Sequence, residues 1–444
     1  MRVGVDVGGT FTDLVAVAPD GTLQIRKVSS TPEDPSIGLF QAVDALGVPP
    51  GGGAAIELLV HGTTIATNAL LERRGARTVL VTTAGFEDLL WLRRQDRAAL
   101  YDLGADHPPP LVRREDVVGT VERAGPDGVI TPLVDEEVKR VVAAVGAARP
   151  EAVAIVLLFA FRHPGHERRL AAALRAALPH LPVVASHEVL PVFREYERCA
   201  TTSAEAYLRQ LVAGYVSRAG AAAASRNVAS FRLMTSGGGS VSAGVAAQSA
   251  ASLALSGPVG GVVGARALGA LVGHADLLTL DMGGTSADAS LVQGGEAREE
   301  GSTVVGGVPL ALPAVMIETV SAGGGSIAWV DAAGTLKVGP RSAGAKPGPA
   351  CFGRGGTEPT VTDACLVLGW LDAEWALAET VHLDVQAAKR ALEPVSRLFG
   401  GDVRRASAGI VDVATAVMAR ALKRVSVARG VDPRRLTFVP FGGA

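Results

Sequence analysis

Runs of apolar residues broken by glycine turns dominate the start of the chain. Val3–Val7, Asp13–Ala18 and Leu23–Val28 each read as a strand, and the turns between them fall at Gly8-Gly9 and Asp20-Gly21. This pattern predicts an antiparallel meander. The spacing then alternates between helical and extended: a helix near Ser36–Leu46, strand Glu57–His61, helix Ala66–Arg74, strand Thr78–Thr82 and a helix from Phe86. Residues 95–134, with Pro108-Pro109-Pro110 and Gly125-Pro126-Asp127-Gly128, read as an irregular excursion. Helix Asp135–Ala148, strand Val153–Phe159, helix Gly165–Leu178 and strand Val183–Ser186 follow. Such alternation signals an α/β layer with parallel strands.

A long helix from Phe193 to about Ala224 carries Tyr207, Leu211 and Tyr215 at helical spacing. A domain boundary near 187–193 is expected, giving domains 1–190 and 191–444. The second half repeats the α/β theme. It has strand Phe231–Thr235, a helix around Val259–Leu271, strands Leu277–Asp281 and Ala287–Val292, a glycine-rich 301–356 region, helices near Thr362–Leu368 and Gly409–Arg429, and strand Leu436–Pro440.

Composition narrows the function classes. Lys+Arg number 42 and Asp+Glu 44, a net charge of −2, so nothing in the charge argues for nucleic acid or an anionic membrane as partner. The longest apolar run, Ala152–Phe161, is about half of the ~20 residues that span a bilayer and reads as a buried strand. The opening Met1-Arg2-Val3-Gly4-Val5-Asp6 reaches an acid before a hydrophobic region builds, so a cytoplasmic protein is expected. Cys199, Cys351 and Cys365 are too few and too scattered for a disulfide framework or a zinc or iron–sulfur knuckle. Glycine is the outlier at 54 residues, clustered just after strand-like runs, where backbone can approach a ligand closely.

Two of these clusters are copies. Asp6-Val7-Gly8-Gly9-Thr10-Phe11-Thr12-Asp13 and Asp281-Met282-Gly283-Gly284-Thr285-Ser286-Ala287-Asp288 share Asp-x-Gly-Gly-Thr-x-x-Asp at one constant offset, each between strand-like runs, which marks an internal duplication. A Gly-Gly turn between strands turns backbone N–H groups toward anionic oxygens, and the threonine adds a hydroxyl donor. Gly8, Gly9, Thr10, Gly283, Gly284 and Thr285 are therefore candidate phosphate ligands. Asp6 and Asp281, at the ends of the first strands, are candidates for holding hydrated Mg²⁺ or orienting water. Asp13 and Asp288 brace or line the hairpins.

These motifs resemble the superfamily of actin-like, sugar-kinase and heat-shock-chaperone ATPases. The resemblance implies an α/β fold of two ribonuclease-H-like domains with ATP in an interdomain cleft. It narrows through His61-Gly62-Thr63-Thr64-Ile65-Ala66-Thr67-Asn68-Ala69-Leu70-Leu71-Glu72-Arg73, Arg194-Glu195-Tyr196-Glu197-Arg198, Ser256-Gly257-Pro258, Cys351-Phe352-Gly353-Arg354-Gly355-Gly356 and Pro359-Thr360-Val361-Thr362-Asp363-Ala364. Together they resemble the hydantoinase A/5-oxoprolinase family along the whole chain. That likeness implies an ATP-dependent enzyme or subunit that phosphorylates a cyclic amide, 5-oxoproline or an N-substituted hydantoin, with a hydantoinase B/oxoprolinase-type partner completing hydrolysis. Relatives also serve in ATP-dependent ketone carboxylases. Gly237, Glu205, Ser321 and Phe352 stand where the family commonly has Asn, Asn, Gly and Tyr, which leaves the substrate open. Association of identical chains is also left open.

The terminal Phe438-Val439-Pro440-Phe441-Gly442-Gly443-Ala444 resembles the family's adenosine motif, with Gly442 and Gly443 near the nucleoside; in the family this motif ordinarily continues past the position of Ala444. His61, Thr63 and Thr64 are substrate candidates, with strand-end packing and helix capping as the plainer reading. Asp363 is a site candidate by resemblance and a helix N-cap on the plainer reading. Gly323-Gly324-Gly325 is either an anion-binding turn or a ligand-free hairpin. Glu195 and Glu197 are either a general base or a helix's charged face. Cys351 reads as structural. Two rival functions stand beside the amidohydrolase: a small-molecule kinase on the same hairpins, and a noncatalytic subunit that uses nucleotide to change shape.

Overall fold

The computed structural model describes residues 1–8, 11–31, 34–47, 56–344, 346–374 and 382–443. Strands β1 (Arg2–Val7), β2 (Phe11–Val17) and β3 (Leu23–Ser29) form the expected meander. Helix α1 (Pro35–Asp44) starts where the Asp34 carboxylate accepts the Ser36 amide at 3.0 Å, with Pro35 in the first turn. Strand β4 (Leu58–Gly62) then returns parallel to β1.

Next come α2 (Ile65–Leu71), β5 (Thr78–Thr83), β6 (Val117–Thr120), α3 (Asp135–Ala148), β7 (Ala152–Val156), α4 (Gly165–Ala177), β8 (Val183–Ala185) and the long α5 (Glu195–Ala224). The last part contains α6 (Ser256–Val272), β9 (Leu277–Met282), β10 (Ala287–Gln293), β11 (Ile317–Val320), α7 (Val361–Leu368), α8 (Val385–Ser396), α9 (Val403–Val425) and β12 (Thr437–Phe441). Among the described residues no helix is long and apolar enough to cross a membrane.

Four departures from the sequence reading have physical causes. The run Ala152–Phe161 is strand only to Val156, because the Leu157 amide donates to the buried Glu167 carboxylate at 2.9 Å and its carbonyl accepts from Arg198 at 2.7 Å. Charged side chains thus take the bonds a neighbouring strand would have made. The excursion at 95–134 contributes β6, a strand too short to stand out by pattern. The helix foreseen from Phe86 is a single turn, Leu89–Leu92. Helix α9 begins earlier than Gly409, capped by Asp402 accepting from the Arg405 amide at 3.0 Å. Gly409 lies inside it because the Phe399 ring occupies the space of a side chain there.

The chain divides into two compact units. The first comprises Met1–Gly62, Gly257–Glu299 and Val315–Ala444, and the second Thr63–Ser256 and Glu300–Ala314. In the second unit, β8, β7, β5 and β6 form an all-parallel sheet. One face is covered by α3 and α4 through Val141, Val145, Leu170 and Leu174, the other by α5 through Cys199, Ala200 and Ala206. Burial on both faces explains the unbroken apolar runs in β5 and β7.

The first unit holds two sheets of identical logic. One runs β4, β1, β2, β3 and the other β12, β9, β10, β11; in each, the central hairpin is antiparallel, the third strand is antiparallel and the fourth is parallel. The second sheet packs on α9 through Leu278, Leu280, Ala289, Leu291, Ala421 and Val425.

Candidate functional site

The duplication seen in sequence is a duplication of register. Asp6 pairs with Asp13 across the first hairpin, and Asp281 with Asp288 across the second. Each turn is closed by one backbone bond, Gly8 N–H to the Phe11 carbonyl at 3.0 Å and Gly283 N–H to the Ser286 carbonyl at 2.9 Å. Gly284 and Thr285 are exposed at the second tip, and their amides take no part in that closing bond. Gly9 and Thr10, the matching tip residues of the first hairpin, lie outside the described residues. Gly62 on β4 lies opposite Asp6, as Phe441 on β12 lies opposite Asp281.

The third strand braces each hairpin. Lys27 Nζ on β3 contacts the Asp13 carboxylate at 2.7 Å, and Thr319 Oγ1 on β11 donates to Asp288 at 2.5 Å. Asp13 and Asp288 therefore brace their hairpins from the strand side. The Lys27 contact follows from counting register outward from the Asp20-Gly21 turn. Thr319 was not reachable that way, because the segment between β10 and β11 has no fixed register of its own.

Asp6 and Asp281 share an electrostatic environment. Dehydration pushes the Asp6 carboxyl up to about 6, with Asp13 adding repulsion and Lys27 opposing it. Asp6 keeps solvent contact while protein surrounds it closely, as a side chain in a recess does. Asp281 is pushed up to about 7, by dehydration first, then by the charges of Asp288 and Asp6. Burial also raises Asp288, partly offset by the Thr319 hydroxyl. The pair is thus short of positive charge. Oxygen donors from one or two carboxylates suit Mg²⁺, which keeps most of its water, better than a full protein cage would. Among the described residues no group of three or more His, Cys, Asp and Glu stands ready for a metal.

Two glycine segments complete this region. Gly442 has φ +116°, and a Cβ there would stand 2.3 Å from the Met282 carbonyl and 2.6 Å from Asp281 Oδ1. Gly443 lies beside Lys27, whose Nζ would be 3.6 Å from a Cβ at that position. The end of the last strand therefore brings Gly442 against the second hairpin and Gly443 beside Lys27, which braces the first. The Gly323–Gly325 segment supports the second hairpin from below: Gly324 N–H donates to the Gly283 carbonyl at 3.0 Å and Gly325 N–H to the Gly284 carbonyl at 2.6 Å. Gly323 N–H is taken by Ser326 Oγ at 2.9 Å. With these three amides occupied, the segment is a backbone brace, and the anion-turn alternative falls.

The remaining candidates sit elsewhere. His61 is fully buried, its Nδ1 3.3 Å from the Val5 carbonyl, and burial pushes its pKa down to about 4, so it is a neutral core imidazole. Thr63 is buried in the second unit, exchanging bonds with Ser256: its carbonyl accepts from Ser256 Oγ at 3.0 Å and its amide donates back at 3.3 Å. Its hydroxyl accepts from Ile65 N–H, and Thr64 Oγ1 accepts from Asn68.

Asp363 is fully buried and caps α7 in a box with Thr360. It also accepts from Cys351 N–H at 2.7 Å and Ala350 N–H at 3.3 Å, which fixes the Cys351 loop. Neither His61 nor Asp363 presents a surface to a substrate; His61 packs at its strand end as the plainer reading has it, whereas the N-cap of α7 is Thr360 and Asp363 is its partner three residues on. Glu197 pairs with Arg94 at 2.8 and 2.5 Å. The Cys351 thiol is buried and raised by dehydration and by Asp363, which suits an inert residue.

Paired hairpins of equal register on two sheets of equal strand order define the class of actin-like ATPases. Within it, the chain belongs to the hydantoinase/oxoprolinase family: the model for the family's N-terminal region matches residues 2–178 and the hydantoinase/oxoprolinase model matches residues 198–444. The chain is 37% identical to caprolactamase subunit alpha of Pseudomonas jessenii, covering all of this chain and 65% of that one. It superposes on the crystal structure of ATP-dependent caprolactamase from that organism with TM-score 0.87, over 100% of this chain and 66% of that one. A nucleotide-free structure of acetone carboxylase gives TM-score 0.85 at 29% identity, over 99% and 64% of the two chains. The chain is 31% identical to 5-oxoprolinase 1 of Arabidopsis thaliana, covering all of this chain and 38% of that protein. It thus spans about two thirds or less of the length of these relatives.

Proposed function

We propose that this protein binds ATP against its two hairpins and serves an ATP-dependent enzyme that phosphorylates a cyclic amide for hydrolysis. The observation that carries this reading is the matched register of the hairpins, with Asp6 adding its charge to what raises the Asp281 carboxyl. Gly8, Gly283, Gly284 and Thr285 would hold phosphate oxygens, joined by Gly9 and Thr10 on the strength of the sequence repeat. Asp6 and Asp281 would hold Mg²⁺, and Gly442 and Gly443 would border the nucleoside. When bound, ATP supplies the phosphoryl group that converts an amide oxygen into a leaving group. An unstrained lactam is a poor electrophile, so hydrolysis benefits from that activation.

The substrate we favour is 5-oxoproline or an N-substituted hydantoin, with a hydantoinase B-type subunit completing ring opening. The printed activities of the caprolactamase and 5-oxoprolinase relatives support an amide, and the name "subunit alpha" supports a partner. Ketone carboxylation is the second reading, favoured by the acetone carboxylase superposition. The test is ADP formation with a panel of lactams and hydantoins, with and without a B-type protein, and a parallel arm of ketone plus bicarbonate. Lactam-dependent ADP formation supports the first reading, ketone-dependent formation the second, and no stimulation by either class overturns both.

A further inference from the structure

The two sheets of the first unit match strand for strand, but one face is covered in only one of them. In the second sheet that face carries Leu277 and Thr279 on β9, Ser290 and Val292 on β10 and Ile317 on β11. Helix α6 lies on it, packing Val259, Val262 and Ala265 against Leu277 and Val292. The approach is close: a Cβ at Gly261 would stand 2.3 Å from the Phe441 ring, and one at Gly269 2.8 Å from the Leu277 side chain. Leu277, Thr279, Ser290 and Val292 are accordingly buried.

The common register gives the equivalent positions of the first sheet: Arg2 and Gly4 on β1, Val15 and Val17 on β2, and Ile25 on β3. The alternate residues Val3, Val5 and Leu14 point the other way and are buried on the side of α1. Here, though, Val15 and Val17 are 43% and 40% exposed, Ile25 68%, and Leu23, paired with Val17, 65%. The cross-strand pairs Val15–Ile25 and Val17–Leu23 form one open apolar surface, of the kind that marks an interaction site. Ion pairs close its ends, Arg2 with Glu57 and Lys27 with Asp13. A Cβ at Gly4 would meet nothing within 4 Å, so a trench lies between Val15 and Val60, the residues paired with Gly4 on either side.

We propose that this face seats an amphipathic helix belonging to a polypeptide equivalent to the part of caprolactamase subunit alpha that this chain does not match. Two observations name the occupant. The duplicated sheet shows that the face takes a helix, and that relative is matched over only 65% of its length, which leaves chain enough to supply one. Shape gives the helix its chemistry. On the second sheet the large side chains of Phe441 and Leu277 meet glycines of α6; on the first, Gly4 stands where the second sheet has Thr279. The arriving helix therefore fills the trench with one large apolar side chain and keeps its charged side toward solvent. The proposal goes beyond the nucleotide reading and neither needs nor supports it.

The experiment times N-ethylmaleimide labelling, by mass spectrometry, of the thiol that Ile25→Cys introduces into the full chain. The unmatched part of the Pseudomonas jessenii subunit is added as a separate polypeptide. A second form carries that part fused behind Ala444, which keeps the test decisive if the separate polypeptide is insoluble. Labelling is expected to slow at least tenfold in either form, while Val129→Cys, at an exposed site of the second unit, keeps its rate. Adding Gly4→Phe is expected to restore fast labelling, because a filled trench excludes a fitted helix, whereas a merely sticky patch would bind more tightly. Both positions face solvent, so each variant of the chain alone should keep its melting temperature within about 2 °C. Unchanged labelling in both forms, equal slowing at Val129→Cys, or slowing that survives Gly4→Phe overturns the proposal. Slowing produced instead by the chain's own concentration or by a B-type protein also overturns it, and gives the face to a second copy or to that subunit.

Discussion

Gly442 leaves no room for a side chain against Asp281: a Cβ would come within 2.6 Å of the carboxylate oxygen. The end of β12 thereby sets where the Asp281 carboxylate lies. Gly442→Ala, strained at φ +116° as well as crowded, is expected to cost about 2 kcal/mol or more of stability and to weaken Mg-ATP at least tenfold. Urea denaturation and nucleotide titration measure the two effects.

Asp281→Asn separates stability from activity. The folded-state pKa near 7 lies above the ordinary 3.8, so the folded protein binds the extra proton and the wild type loses stability as pH rises between those values. Allowing for solvent screening, the Asn variant without Mg²⁺ is expected to be more stable at pH 8 by about 1–2 kcal/mol, a gain that disappears near pH 4. Its substrate-stimulated ADP formation is expected to fall about a hundredfold or more. An unchanged rate would remove Asp281 from the chemistry.

A residue outside both hairpins is expected to matter more than a hairpin glycine. A Cβ at Gly323 would lie 2.5 Å from the Gly283 carbonyl and 2.6 Å from the Thr285 nitrogen, whereas one at Gly283 meets its nearest neighbour, the Ser286 carbonyl, at 3.6 Å. Gly323→Ala should therefore reduce both thermal stability and Mg-ATP affinity more than Gly283→Ala does, read by melting temperature and calorimetry.

Asp363→Asn tests a structural assignment. The carboxylate accepts from Cys351, Ala350 and Thr360 while fully buried, and an amide cannot accept with both ends. A loss of about 3 kcal/mol in chemical denaturation is expected. The folded fraction should keep its Mg-ATP affinity within twofold; selective loss of substrate KM with stability intact would return Asp363 to the site.

His61 carries a pH signature. Its pKa falls from 6.5 to about 4 in the folded protein, so the unfolded chain binds the extra proton between those values and stability is lost as pH falls through them. Between pH 7.5 and pH 4.5 the wild type should lose about 2.5 kcal/mol more than His61→Gln, by urea denaturation at each pH. Contributions from Asp6 and Asp281 run in the opposite direction but are common to both proteins and cancel in the difference.

The elements were legible where local chemistry was decisive. The strands flanking the Gly-Gly turns, the Asp20-Gly21 turn and helices with acids in their first turn, such as Asp135–Ala148, depend on a few adjacent residues, and they lie where the pattern put them. Boundaries failed where a distant side chain took the backbone's bonds, as Glu167 and Arg198 do at Leu157. Site membership failed for a similar reason. His61 and Asp363 carry chemistry-bearing groups, but only the neighbours that bury them show that those groups are already used.

The sequence by itself determined the two hairpins, their kinship and the family, because a repeated motif survives in one dimension. Tertiary structure alone decided that the Asp6 charge reaches Asp281 and that Gly323–Gly325 is a brace. Those relationships join residues far apart in the chain. Distance, burial and competition for hydrogen bonds arise only when the segments pack.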